Sequence, residues 1–261
     1  MVKRIVSSMD RVVIAYSVSG AADGALVLIH GGLGNRSFWD GQHDPLANRF
    51  RVIALDLAGH GESGRNRQMW GLREFAQDVL AVMDNEGVRN AVLVGNSLGG
   101  SVAIEAALLA GSRAVGVIGV DTFHDLSRRI DPDQAREQAE AWRRNPGGTL
   151  DRMLRALFHP DAPPALVADV RRRMSSAAGE TMAAVFDSLA GYDTGAPARQ
   201  LRVPVRCING DLYPTNIKAN QEIVADFDAV VLAHTGHFPM LERPDEFNQR
   251  LEEFACMMSR E

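Results

Sequence analysis

The stretch Val94-Gly95-Asn96-Ser97-Leu98-Gly99-Gly100 constrains this chain more than any other. The apolar, branched run from Ala91 to Val94 reads as a short buried strand. The small-residue run from Ser101 to Ala110 reads as a helix. A strand that passes directly into a helix must turn sharply, and the two elements then nearly touch. Gly95 and Gly99, two residues on either side of Ser97, remove the side chains that would hold them apart. Ser97 is left in a strained backbone conformation at the tip of the turn. This G-x-S-x-G pattern between strand and helix is a nucleophile elbow, in which the N–H after the serine, here that of Leu98, faces a developing oxyanion. The same residues also make a tight glycine turn that packs a helix on a sheet. What else the chain brings to that edge therefore decides between chemistry and packing.

Strands and helices alternate through most of the sequence. Residues 2–18 alternate branched and polar side chains around Met9-Asp10-Arg11, which predicts an opening hairpin. Ala25–Ile29, Arg51–Leu55 and Ala114–Val120 are continuous apolar runs, as in strands covered on both faces. Phe75, Val79, Leu80, Val82 and Met83 mark a helix from Leu72 to Asn85 that stops at Gly87. After a long break come a strand within Val203–Asp211, a helix over 216–226, a strand Ala229–Leu232 and a closing helix Pro244–Met258. The alternation predicts an α/β fold with a doubly wound, mostly parallel sheet. Between Thr122 and Gln200 the strand-like runs vanish. Leu150, Met153, Leu154, Leu157 and Phe158 recur there at helical spacing, with prolines where helices start or stop. These features predict a helical insertion of roughly four short helices, its many arginines forming a solvated face.

A chain of 261 residues has room for one large core and such an insertion. Its net charge of −5 argues against nucleic acid or an anionic membrane as partner. Cys207 and Cys256 make no disulfide framework, as expected in a reducing compartment. The basic start lacks a signal-peptide core and no apolar run is long enough to cross a membrane, so a cytoplasmic protein is predicted. Nothing in the sequence calls for a metal or an organic cofactor. The expected partner is a small-molecule substrate, and the sequence is silent on oligomeric state.

A serine hydroxyl is a weak nucleophile until a base takes its proton and an acid orients that base. In a parallel sheet the loops after the strand C-termini gather on one edge, where distant residues meet. The candidates there are His30, His60, His234 and His237 as base, and Asp56, Asp121 and Asp211 as acid. His237 follows a glycine and comes after every candidate acid, which fits the chain order Ser…Asp…His. Asp56 and His60 lie in a glycine-rich turn whose hydrogen bonding accounts for them structurally. His30-Gly31-Gly32-Leu33-Gly34 turns sharply after a strand and leaves amide N–H groups free for the second half of an oxyanion hole.

His30-Gly31-Gly32, Asp56-Leu57-Ala58-Gly59-His60-Gly61-Glu62-Ser63, Gly95-Asn96-Ser97-Leu98-Gly99-Gly100 and Gly236-His237 stand in the order of the motifs of α/β-hydrolase-fold proteins. The chain resembles that family over nearly its whole length. The resemblance implies a core of residues 1–121 and 201–261, a helical cap of residues 122–200 inserted after the sixth strand, and an oxyanion hole formed by the Gly32 and Leu98 amides. One stretch departs from the family pattern. Relatives usually carry the acid in Gly-x-x-Asp-Pro, whereas this chain reads Gly210-Asp211-Leu212-Tyr213-Pro214, with Tyr213 at the acid position. Other relatives place the acid directly after the sixth strand, and Gly116-Val117-Ile118-Gly119-Val120-Asp121 is similar to those. Asp121 is therefore favoured as the acid, with Asp211 as the alternative and Asp125 behind both.

The implied activity is that of a serine esterase, cleaving a small to medium, partly apolar ester or lactone through an acyl-enzyme on Ser97. Trp39, Phe123, Phe186 and Phe238 are candidates for the substrate pocket. Two other readings stay open. One is hydrolytic C–C cleavage of the meta-cleavage-product type, whose enzymes share Gly-Asn-Ser-x-Gly-Gly but carry tryptophan where Phe238 stands. The other is a ligand-binding sensor of the same fold with little turnover.

Overall fold

The computed structural model describes residues 1–174 and 179–259. β1 (Val2–Ser7) and β2 (Val13–Ser19) pair antiparallel as the expected hairpin. β3 (Ala25–Ile29), α1 (Asp40–Leu46), β4 (Arg51–Leu55), α2 (Leu72–Asn85), β5 (Ala91–Asn96), α3 (Leu98–Ala110) and β6 (Ala114–Val120) follow. Then come α4 (Pro132–Arg144), α5 (Pro146–Leu157), α6 (Pro164–Met174), α7 (Gly179–Leu189) and the short α8 (Gly195–Ala198). β7 (Val205–Gly210), α9 (Ile217–Gln221), β8 (Phe227–Leu232), α10 (Pro239–Glu242) and α11 (Pro244–Met258) complete the described chain. The helix expected over 216–226 ends at Gln221. Ile223 and Val224 both donate to the Asn220 carbonyl, at 3.0 and 2.8 Å, and this tightened turn brings Val224 into the core.

The eight strands form one sheet in the order β1-β2-β4-β3-β5-β6-β7-β8, parallel from β4 onward. Successive side chains of a strand point to opposite faces, and here both faces are covered. Val27, Ile29, Ile53, Leu55, Leu93 and Val117 pack on one side with α2 and α3. Leu26, Leu28, Val52, Val92, Val94 and Ile118 pack on the other with α1 and α11. That is why these strands read as unbroken apolar runs. Leu150, Leu154 and Met174 of the insertion join the second cluster, while its Arg128, Arg129, Arg136 and Arg144 are exposed.

Chain order reverses between β3 and β5, which are neighbours in the sheet. Their C-terminal ends diverge into separate connections and leave a crevice, the usual ligand position in such sheets. Five of the six described non-glycine residues with positive φ follow strand ends on this edge: Leu33, Ser97, Asp121, Phe123 and His234. Strained backbone of this kind persists only where its surroundings over-determine it.

A Cβ on Gly95 would run into the backbone carbonyl of Gly99, and a Cβ on Gly99 into those of Ile29 and His30. Gly147, in the first turn of α5, meets nothing within 4 Å. Gly95→Ala is therefore expected to lose about 3 kcal/mol or more of stability, since rigid backbone must move. Gly147→Ala should be neutral or stabilising by up to about 1 kcal/mol. Urea denaturation of the two variants beside wild type measures both; equal stability of Gly95→Ala and wild type would contradict the packing described.

Candidate active site

Ser97 sits between β5 and α3 with φ 53° and ψ −120°. Its N–H donates to the Val120 carbonyl at 3.1 Å, which ties the turn to the end of β6. Asn96 reinforces that tie: its side-chain amide donates to Val120 O at 2.9 Å and to His237 O at 3.0 Å. The elbow, the end of β6 and the loop after β8 are thus held together by one asparagine.

Asp121 follows β6 directly and is 2% exposed. Its Oδ2 lies 2.5 Å from His237 Nδ1, and its Oδ1 accepts from the Gly210 N–H at 3.0 Å. His124 Nε2 is 3.7 Å from Oδ1. Burial alone would raise the Asp121 carboxyl, but the His124 and His237 imidazoles hold it well below the usual carboxylate range. The two imidazoles therefore favour its ionised form. A buried anion on Nδ1 leaves Nε2 of His237 as the free ring nitrogen, the arrangement a base needs.

The structure brings Asp121, not Asp211, to His237. Asp211 is exposed and accepts from the His234 and Thr235 N–H groups at 2.8 and 3.1 Å, bracing the loop before His237. Asp125 accepts from its neighbour Ser127. Tyr213, at the family's usual acid position, donates its hydroxyl to Ala156 O on α5 at 3.1 Å.

The remaining candidate bases serve the scaffold or the surface. His30 donates from Nδ1 to Gly31 O at 2.7 Å and accepts the Leu57 N–H on Nε2 at 3.0 Å. Burial pushes it down to about 4, and His60, its ring tilted 54° at 5.0 Å from it, down to about 3. Both are therefore neutral wedges beneath the loops. Asp56 accepts from the N–H groups of Arg36 and Glu62 and pairs with the Arg36 guanidinium, so the Asp56–Ser63 turn is structural. His234 is exposed, its Nδ1 on Asp161.

Ser97, His237, Gly32 and Leu98 all line one cavity of about 320 Å3. Among the described residues the N–H groups of Gly32 and Leu98 have no protein acceptor, so both are free for an anion. No hydrogen bond joins Ser97 to His237 among the described residues; such bonds are often long in an empty site and tighten around substrate. Phe186 and Phe238 line the cavity. Trp39 and Phe123 do not. Consecutive residues of the 3-10 turn Arg36–Trp39 point about 120° apart, so Phe38 faces the cavity while Trp39 is buried against Phe247, at 6.2 Å. Phe123, with φ 54°, folds over Gly100 and Gly119 and lines a neighbouring crevice instead.

Sequence reasoning missed Asn96 and Asn209 as site scaffolding. Asn209 bonds Thr122 N–H at 3.2 Å and Thr122 O at 3.1 Å, fixing the segment after Asp121. Their signal was present: each is an asparagine within the last two residues of a buried strand. Met153, Leu157 and Val185 also went unassigned, because helical spacing shows that they are buried and not against what.

The sequence profile described as "Alpha/beta hydrolase family" matches residues 26–250. The chain is 42% identical over 98 residues to the dihydrolipoyllysine-residue acetyltransferase component of acetoin cleaving system from Pseudomonas putida, a match covering 38% of this chain and 26% of that protein. That stretch spans only about a quarter of the longer relative. Full-length similarity is lower: 24% identity over 257 residues to 3-oxoadipate enol-lactonase 2 from Acinetobacter baylyi, covering 92% of each chain. Among solved structures, a thermophilic esterase from Thermogutta terrifontis superposes with a TM-score of 0.86 at 24% identity, over 99% of this chain and 100% of that one. The chain belongs to the alpha/beta hydrolase family.

Proposed function

We propose that this protein is a serine hydrolase that opens small to medium, uncharged, partly apolar carboxylic esters or lactones through an acyl-enzyme on Ser97. The observation that carries this reading is the 2.5 Å Asp121–His237 pair on the cavity lined by the strained Ser97. His237 Nε2 takes the Ser97 proton as Oγ attacks the carbonyl carbon. The oxyanion is held by the Gly32 and Leu98 N–H groups, and the ionised Asp121 stabilises the imidazolium. His237 then protonates the leaving alkoxide and, in the second half, takes a proton from the water that releases the acid. A single oxyanion donor contributes about 10²–10³-fold in rate.

The cavity wall supports the substrate class. Among its described lining residues, His237 is the only one that takes a charge; Phe38, Met153, Leu157, Met182 and Phe186 are apolar. A charged acyl group would lose its hydration there without a partner. Met153 and Leu157 come from α5, and Met182 and Phe186 from α7. In this reading residues 122–200 therefore act as the cap that shapes the acyl site. The enol-lactonase similar over the full length is consistent with an ester or a cyclic ester as substrate.

A fluorophosphonate probe tests the nucleophile without a guess at the substrate. Intact mass should show one rapid addition to wild type and none to Ser97→Ala. Asp121→Asn should label slower by about 10³-fold or more, while Asp211→Asn labels like wild type. Folded wild type that does not label would overturn the proposal, and one slow turnover with tightly retained product would move the reading to a sensor. The acyl site is tested with Phe186→Ala, which should shift preference among p-nitrophenyl esters to longer chains, mainly through KM. An esterase of this kind should turn over a hemisuccinate ester at least about 10-fold more slowly than an uncharged one of equal length.

A further inference from the structure

Three metal-ligating side chains meet outside the cavity, on the seam between the insertion and the loop that carries His237. His159 and Asp161 lie between α5 and α6, and His234 lies between β8 and α10. Asp161 Oδ2 is 3.0 Å from His234 Nδ1 and 3.5 Å from His159 Nδ1. One ligand atom from each residue lies within 4.8 Å of the other two. A tetrahedral zinc ion, with bonds of about 2.0–2.1 Å, holds its ligand atoms about 3.3 Å apart. Small side-chain rotations close the difference.

The backbone on both sides of the seam is already fixed. The His237 N–H donates to Leu157 O at 2.7 Å. The Glu242 carboxylate accepts from the Gly236 and Phe238 N–H groups at 2.9 and 3.0 Å and also from the backbone of His159. Asp211 holds the His234 N–H. The His159 and His234 rings stand edge to face at 5.4 Å, and the Nδ1 atoms of both lie within 3.5 Å of one Asp161 carboxylate oxygen.

We infer that His159, Asp161 and His234 bind a divalent transition-metal ion of the zinc class, which clasps the insertion to the loop of His237. Two imidazoles and one carboxylate suit zinc, cobalt or nickel and disfavour magnesium and calcium, which take oxygen ligands. Water completes the coordination, as at zinc sites with three protein ligands. Coordination through His159 Nδ1 exchanges its 3.1 Å hydrogen bond from the Asp161 N–H for the metal. The sequence shows no metal-ligand spacing, because His234 lies far along the chain from the other two. This site is independent of the chemistry assigned to Ser97.

Thermal unfolding of chelator-stripped protein, titrated with zinc sulfate, tests the site. At ten times Kd, zinc should raise the wild-type Tm by about 3–6 °C, and magnesium at the same concentration should not. Asp161→Ala and His234→Asn should each lose the zinc shift. Both side chains are about two-thirds exposed, at 67% and 66%, so neither fills the core, and asparagine tolerates the positive φ of residue 234. The inference is overturned if zinc leaves wild type unmoved, if both variants shift as wild type does, or if magnesium stabilises equally.

Discussion

The near-contact of β5 with α3 at Gly95 and Gly99 is the constraint on which the site depends. With no Cβ on either residue, the strand enters the helix without a connecting loop, and Ser97 takes the strain at φ 53°. The same approach brings the first turn of α3 under the end of β3, where Gly99 lies against the carbonyls of Ile29 and His30. Gly32 and Leu98, 66 residues apart in sequence, thereby face one cavity. Aligned peptide dipoles at the start of α3 favour negative charge at that point. A serine elsewhere on this surface would have neither the exposure nor the paired amides.

A second layer of order is electrostatic. Asp121 is a buried anion whose cost of burial is offset by the Gly210 N–H and the His237 ring. The loop of His237 is fixed from three sides, by Asn96, Glu242 and Leu157 O. Glu242 and Leu157 O also bind that loop to the insertion. The insertion therefore does more than cover the cavity: its α5 end contributes to the backbone that positions His237. The His159–Asp161–His234 cluster lies on this same seam.

Much of the fold was legible because burial on both faces of a parallel strand leaves a plain record. Ala25–Ile29, Arg51–Leu55 and Ala114–Val120 agree with the observed strands residue for residue, as do the helices Leu72–Asn85 and Pro244–Met258. Agreement failed where local pattern was weak. α1, with Pro45 inside it, has no clear apolar stripe, and α9 is cut short by hydrogen bonds to Asn220 that spacing does not encode.

The site divides in the same way. The strand–Gly–Ser–Gly–helix pattern determined the elbow by itself, since backbone sterics at that turn depend on residues adjacent in sequence. Chain order and a glycine singled out His237. Which carboxylate reaches it was a matter of tertiary structure: Asp121 and Asp211 both follow strands on the same edge, and only the paths of the loops after β6 and β7 set their distances. The pocket was decided the same way. Phe38 and Trp39 are equally apolar neighbours, yet one faces the cavity and the other α11. Hydrophobicity reports that a side chain leaves water. The direction in which it leaves is set by elements far away in the chain.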